Sequence, residues 1–236
     1  MEQSPQNKFL IPLAIVVAGV FVAAAVYFGG STPRPSSLDK ARDKSGQATS
    51  PTDIDIAEVT AKDHIVGSRS AALIIVEYSD TECPFCKVFH NTMKEVVSAY
   101  GGEVAWVYRH FPIAQLHARA SKEAEATECA AELGGKQVFW NYIDKLFETT
   151  NSNDSLDPAE LPKIAQAVGL DVTTFNTCLS NGKYTEFIKK SVEEAVKAGA
   201  RGTPYSVIIA KDGEKVIING AEPIGSVKIK IDALLK

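Results

Sequence analysis

Cys83 and Cys86 stand three positions apart in the run Cys83-Pro84-Phe85-Cys86. Two thiols at that spacing, at the start of a helix, can close a small and easily exchanged disulfide, so the pair reads as a redox centre. Other uses of the pair fit less well. A structural zinc site needs four ligands, whereas Cys129 and Cys178 are far from each other in sequence and His90 has no second histidine at ligand spacing. An inert bridge over two intervening residues would close too small a loop to restrict the unfolded chain much.

The flanking residues must position those thiols. Ala72 to Tyr78 (ALIIVEY) is a continuous apolar, β-branched run that suits a buried strand. Val88, Phe89, Met93, Val96 and Val97 recur at helical spacing, which puts the motif where a strand turns into a helix. Pro84 fits the first turn, where its missing N–H is no loss. Cys83 then lies beside unsatisfied N–H groups at the positive end of the helix dipole, which favours thiolate. This makes Cys83 the attacking nucleophile and Cys86, one turn further in, the resolving thiol. Glu82 is expected to raise the Cys83 pKa, with Lys87 offsetting it in part.

The chain has 236 residues, 45% hydrophobic, with a net charge of −4. That suffices for one good core and carries no electrostatic footprint for nucleic acid. Residues 1–8 form a short tail, and residues 9–28 contain no charge. At roughly 1.5 Å per residue this segment matches a bilayer core of about 30 Å. It exceeds the usual apolar region of a cleaved signal peptide, about 7–15 residues, so an uncleaved transmembrane signal anchor in the lipid bilayer is expected. Residues 29–53, rich in Ser, Pro, Gly and Thr, read as a flexible linker before a domain over residues 54–236. Positive charge is heavier after the apolar segment (Arg34, Lys40, Arg42, Lys44) than before it (Lys8), which by the positive-inside rule favours an inward C-terminus. Thiol chemistry argues the other way, because a reducing cytosol would hold Cys83 and Cys86 apart. The expected location is therefore a single-pass protein of the cell membrane with its catalytic domain outside the cytoplasm.

Further along, Glu103 to Arg109 alternates as a second strand. Leu116 to Leu133 is a helix ended by Gly134-Gly135, and Val138 to Phe147 places Phe139, Trp140, Ile143, Leu146 and Phe147 on one apolar face. Helices are also expected from Asp157-Pro158, over 171–180 and over 183–198. A hairpin follows (205–209 and 215–218, turning at Asp212-Gly213), then a last helix over 224–235. The order strand, helix, strand, helical block, strand, strand, helix describes an α/β sheet with a helical insertion, about 114–199.

These motifs resemble the DsbA-like branch of the thioredoxin-fold thiol–disulfide oxidoreductases, over roughly residues 63–235. Val76-Glu77-Tyr78-Ser79-Asp80 leads into the Cys-Pro-Phe-Cys run; Tyr108-Arg109-His110-Phe111-Pro112 follows; Phe139-Trp140 and Leu146-Phe147 lie in the insertion; Gly202-Thr203-Pro204 precedes the hairpin. The resemblance implies a thioredoxin-like fold and disulfide formation in exported proteins, with no cofactor and no metal. It makes Pro204 a cis-proline beside the redox pair, with Thr203, Pro204, Pro84 and Phe85 meeting substrate. Glu77 becomes a buried carboxylate that exchanges a proton with Cys86. It also implies a structural disulfide between Cys129 and Cys178, two separate buried thiols being the alternative. Relatives often carry His where this chain has Phe85, so a weaker oxidant is expected, and His110 receives no catalytic role. Expected partners are reduced or unfolded exported proteins and a membrane-embedded, quinone-linked thiol oxidase as reoxidant. Without a dimerisation segment of the kind isomerases add, a monomer is expected. A reductase or isomerase, or a tethered peptide-binding, chaperone-like module, are the alternative functions.

Overall fold

The computed structural model describes residues 54–236; the expected tail, anchor and linker lie outside them. Among the described residues no helix is long and apolar enough to cross a membrane. The sheet has five strands in the order β1-β3-β2-β4-β5: β1 His64–Val66, β2 Leu73–Ser79, β3 Val104–His110, β4 Tyr205–Ala210 and β5 Lys215–Asn219. β2 and β3 run parallel, connected by helix α1 Pro84–Ala99, as a parallel pair requires a crossover. β2 meets β4 antiparallel, and β4 and β5 form the hairpin. Helix α2 Ala120–Thr149, α3 Glu160–Ala167, α4 Val172–Ser180 and α5 Thr185–Lys197 fill the insertion, and α6 Ile224–Leu234 closes the chain.

Central strand β2 is buried on both faces, which is why its sequence reads as an unbroken apolar run. On one face Leu73, Ile75, Trp106 and Tyr108 pack with Phe89, Met93 and Val96 of α1 and with Phe139, Ile143 and Phe147 of α2. On the other, Val76, Tyr78, Val107 and Val207 pack with Ala195 and Ala198. A third cluster, around Cys129, Tyr142, Leu146, Leu161, Ile164 and Phe175, belongs to the insertion itself.

Three expectations need adjustment. Edge strand β1 was not foreseen: three residues are too few to show a period, and His64 is held by bonding Glu128 (2.8 Å) and stacking on Phe139. The break expected at Gly134-Gly135 is present: Gly135 (φ 76°, ψ −172°) leaves the helical region, and two helices meet at a kink within the span Ala120–Thr149. Residues 116–119 form a turn before α2, because its first turn is taken up by the bonds described below. Val88 shares the helical period of Phe89 and Met93 yet is exposed, on the solvent side of α1.

Candidate active site

Cys83 caps α1 with an extended backbone (φ −79°, ψ 121°), and no side chain competes for the first-turn N–H groups. Those of Phe85 and Cys86 point at the Cys83 sulfur, as helix-end geometry dictates. Its thiol is directed at the Thr203 carbonyl, 3.4 Å away, in the loop where the Thr203–Pro204 bond is cis. Cys83 is 5% exposed and Cys86 wholly buried, and both are thiols. Pro84 and Phe85 stand in solvent beside Cys83, Phe85 being 64% exposed. The structure thus brings Cys83, Cys86, Pro84, Phe85, Thr203 and Pro204 together where β2 ends and β4 begins.

The two sulfurs are made unequal. Hydrogen bonding from Cys86, then from Thr203 and the Phe85 and Cys86 backbone, outweighs burial and holds the Cys83 thiol down at about 6. Burial, followed by the neighbouring Cys83 and Glu77 charges, pushes Cys86 well above the ordinary thiol range. Glu82 does not oppose Cys83 as expected. Its carboxylate turns inward to accept from Thr150 Oγ1 (3.0 Å) and from the N–H groups of Ser155 and Leu156 (3.3 Å each). Lys87 likewise donates to the Thr150 carbonyl. Burial, then the adjoining Glu82 carboxyl, keeps a proton on Glu123 up to about pH 8.

Glu77 is fully buried on β2, between Tyr108 of β3 and Ser206 of β4 in register. Trp106 Nε1 donates to Glu77 Oε2 at 2.8 Å, while Oε1 has no hydrogen-bond partner. Burial raises Glu77 to about 7, against the nearby Ser79 hydroxyl and the Trp106 hydrogen bond, which lower it. Its charge in turn helps to raise the Cys86 thiol. Burial excludes a solvated strand-end carboxylate at Glu77. Trp106 was missed as the partner of Glu77; the parallel β2–β3 register that places it there is not readable from either strand alone.

A pH dependence follows. Because the folded-state pKa of Glu77 lies above its unfolded value of 4.5, its contribution to stability is fully present below about pH 4.5 and is lost as pH rises through about 7. The loss amounts to about 3 kcal/mol. Glu77→Gln keeps an acceptor for Trp106 and removes the titrating carboxyl. Denaturant unfolding at pH 8 is expected to show this variant more stable than the parent, with the gain absent at pH 4.5. Equal stability at pH 8 would contradict a raised Glu77 pKa.

Cys129 and Cys178 are joined, linking α2 to α4 across 49 residues. His110, given no catalytic role, bonds Glu128 at 2.8 Å through the same carboxylate oxygen that His64 uses.

A thioredoxin family model matches residues 59–224, the span that holds every one of these site residues. The chain belongs to the thioredoxin family. DsbA2 of Pseudomonas aeruginosa is a DsbA-like relative of this thioredoxin-family chain, 30% identical with a TM-score of 0.65 over 75% of this chain and 97% of that one. Oxidised BdbD of Bacillus subtilis, at 20% identity, shares the fold with a TM-score of 0.64 over 73% and 92%. A stretch of 143 residues is 35% identical to part of the Na(+)/H(+) antiporter NhaA 3 of Salinispora tropica, covering 61% of this chain and 21% of that protein. The chain thus spans about a fifth of the length of the curated relatives it matches.

Proposed function

We propose that this DsbA-like thioredoxin catalyses thiol–disulfide exchange, with net oxidation of exported proteins as its direction. The observation that carries the reading is the asymmetry of the pair: a low-pKa Cys83 at the surface edge, facing the Thr203 carbonyl, and a buried, high-pKa Cys86 acted on by a protonatable Glu77.

In the oxidised protein a substrate thiolate attacks Cys83 Sγ, the Cys83–Cys86 bond breaks, and Cys86 leaves as a thiolate that takes the Glu77 proton. The second substrate thiolate then attacks the substrate sulfur of the mixed disulfide, and Cys83 departs as the stabilised thiolate. Two electrons pass from the substrate's thiols to the Cys83/Cys86 pair. An extended peptide would lie against the Thr203–Pro204 loop, where Thr203 offers backbone groups, with Pro84 and Phe85 supplying apolar contact. Reoxidation is assigned to a membrane-embedded, quinone-linked thiol oxidase, with residues 9–28 anchoring both partners in one bilayer and the catalytic domain outside the cytoplasm.

The direction is tested by equilibrating the Cys83/Cys86 pair with glutathione on the full chain in detergent, following each cysteine by mass spectrometry. A potential near or above about −180 mV is expected of an oxidase, and one near about −270 mV would make the protein a reductase. Cys129–Cys178 is expected to stay joined throughout.

A further inference from the structure

The motif leaves one requirement open. A thiolate at Cys83 is helped by a nearby positive charge, yet Phe85 supplies none and Lys87 is committed to the Thr150 carbonyl. Arg109 is committed as well, to Asp63 and to the Ala57 and Glu58 carbonyls.

His117, in the turn between β3 and α2, is placed differently. It is 7% exposed, and its Nδ1 bonds Asp80 Oδ2 at 2.9 Å. Asp80, directly after β2, is the hub of the active-site loop. Its carbonyl accepts from the Cys83 N–H (3.2 Å), its Oδ1 from the Glu82 N–H (2.8 Å), and its N–H is directed at Cys86 Sγ (3.4 Å). Asp80 Oδ2 also accepts from the Ile113 N–H (2.7 Å), pinning the start of the His117 turn. The end of that turn is pinned by Asp154, which accepts from the Ala118 and Arg119 N–H groups. The turn is thus clamped by a carboxylate at each end, with its imidazole held against the loop that carries both sulfurs.

We propose that His117, oriented by Asp80, is a positioning residue for the exchange reaction: from the turn before α2 its imidazolium stabilises the Cys83 thiolate, the role that the motif leaves empty at Phe85. The inference rests on the exchange reading and deepens it. Three charged groups face His117: Asp80 after β2, Cys83 at the start of α1, and Asp154 in the loop after α2. Burial disfavours the imidazolium, but these three negative groups outweigh it and keep His117 protonated above its ordinary range. By reciprocity, what the Cys83 thiolate does for His117 the imidazolium does for the thiolate.

The test is the pH midpoint of Cys83 thiolate formation in the reduced protein, read from its ultraviolet absorbance. His117→Gln is expected to raise the midpoint by about one unit, the low end for losing a neighbouring opposite charge. His117→Lys, which keeps the charge, is expected to restore it; a merely structural role would not be rescued that way. In glutathione at pH 7 the His117→Gln pair should shift about fivefold toward its disulfide, or about 20 mV. An unmoved midpoint in a folded His117→Gln protein overturns the proposal. Should that variant not fold, nuclear magnetic resonance titration of His117 in the parent decides. A higher imidazole pKa in the dithiol than in the disulfide form is expected, and equal values overturn the proposal. A chain without exchange activity whose midpoint still moves would refute the proposed function and support this coupling, and an active chain with an unmoved midpoint would do the reverse.

Discussion

Cys86→Ser is expected to accumulate a covalent adduct on Cys83 when the reduced variant meets a disulfide, and Cys83→Ser is expected to abolish exchange. In Cys86→Ser, the Cys83 thiolate attacks the disulfide of a peptide or of oxidised glutathione, expels one thiolate and keeps the other half as a mixed disulfide. The parent resolves that species through Cys86; a serine hydroxyl cannot displace sulfur in its place, so the adduct persists until a reductant is added. In Cys83→Ser the remaining thiol is wholly buried and held well above the ordinary range by burial. At pH 7 Cys83, with a pKa of about 6, is mostly thiolate, whereas Cys86, pushed up by burial, stays a thiol. The adduct should therefore form more than about tenfold more slowly on Cys86 than on Cys83. Intact mass under non-reducing conditions reads both variants directly. Comparable labelling of Cys86 in Cys83→Ser would reverse the assignment of attacking and resolving thiols.

The line from Val76 to Cys86 was legible because strand, cap and helix are consecutive and each leaves a local mark: an apolar run, a proline in the first turn, a helical apolar period. Thr203 and Pro204, more than a hundred residues on, came from family resemblance, since nothing local ties that loop to Cys83. What escaped was whatever depends on how distant elements meet. Glu82 adjoins Cys83 in sequence and was expected to depress its acidity, yet the loop 150–156 draws its carboxylate inward and away. Trp106 came to Glu77 through strand register, and His117 came to Asp80 through a turn that the helical pattern had absorbed into α2. Sequence proximity is a fair guide to backbone neighbours and a poor one to the direction of a charged side chain, which its hydrogen-bond partners decide.

The bridge between α2 and α4 is the other place where a large effect is expected. Cys129 lies in the insertion's own apolar cluster with Ala126, Ala130, Tyr142, Leu146 and Phe175, while the chain between the two sulfurs runs through a further helix, α3. Closing a loop of 49 residues removes unfolded-state freedom worth about 4 kcal/mol on the chain-entropy account. Replacing both cysteines, as Cys129→Ala with Cys178→Ala, is expected to cost about that much in urea unfolding, mostly as a lower midpoint. The Cys83 thiolate midpoint should be unmoved, because the groups that lower it (Cys86, Thr203 and the α1 N–H groups) lie outside the insertion. A loss below about 1 kcal/mol would mean that the unfolded insertion is already compact enough to make the bridge redundant. A Cys83 midpoint that moves with the bridge would mean that the insertion transmits its packing to the active-site loop, for which the Asp154 clamp on the His117 turn is the nearest physical route.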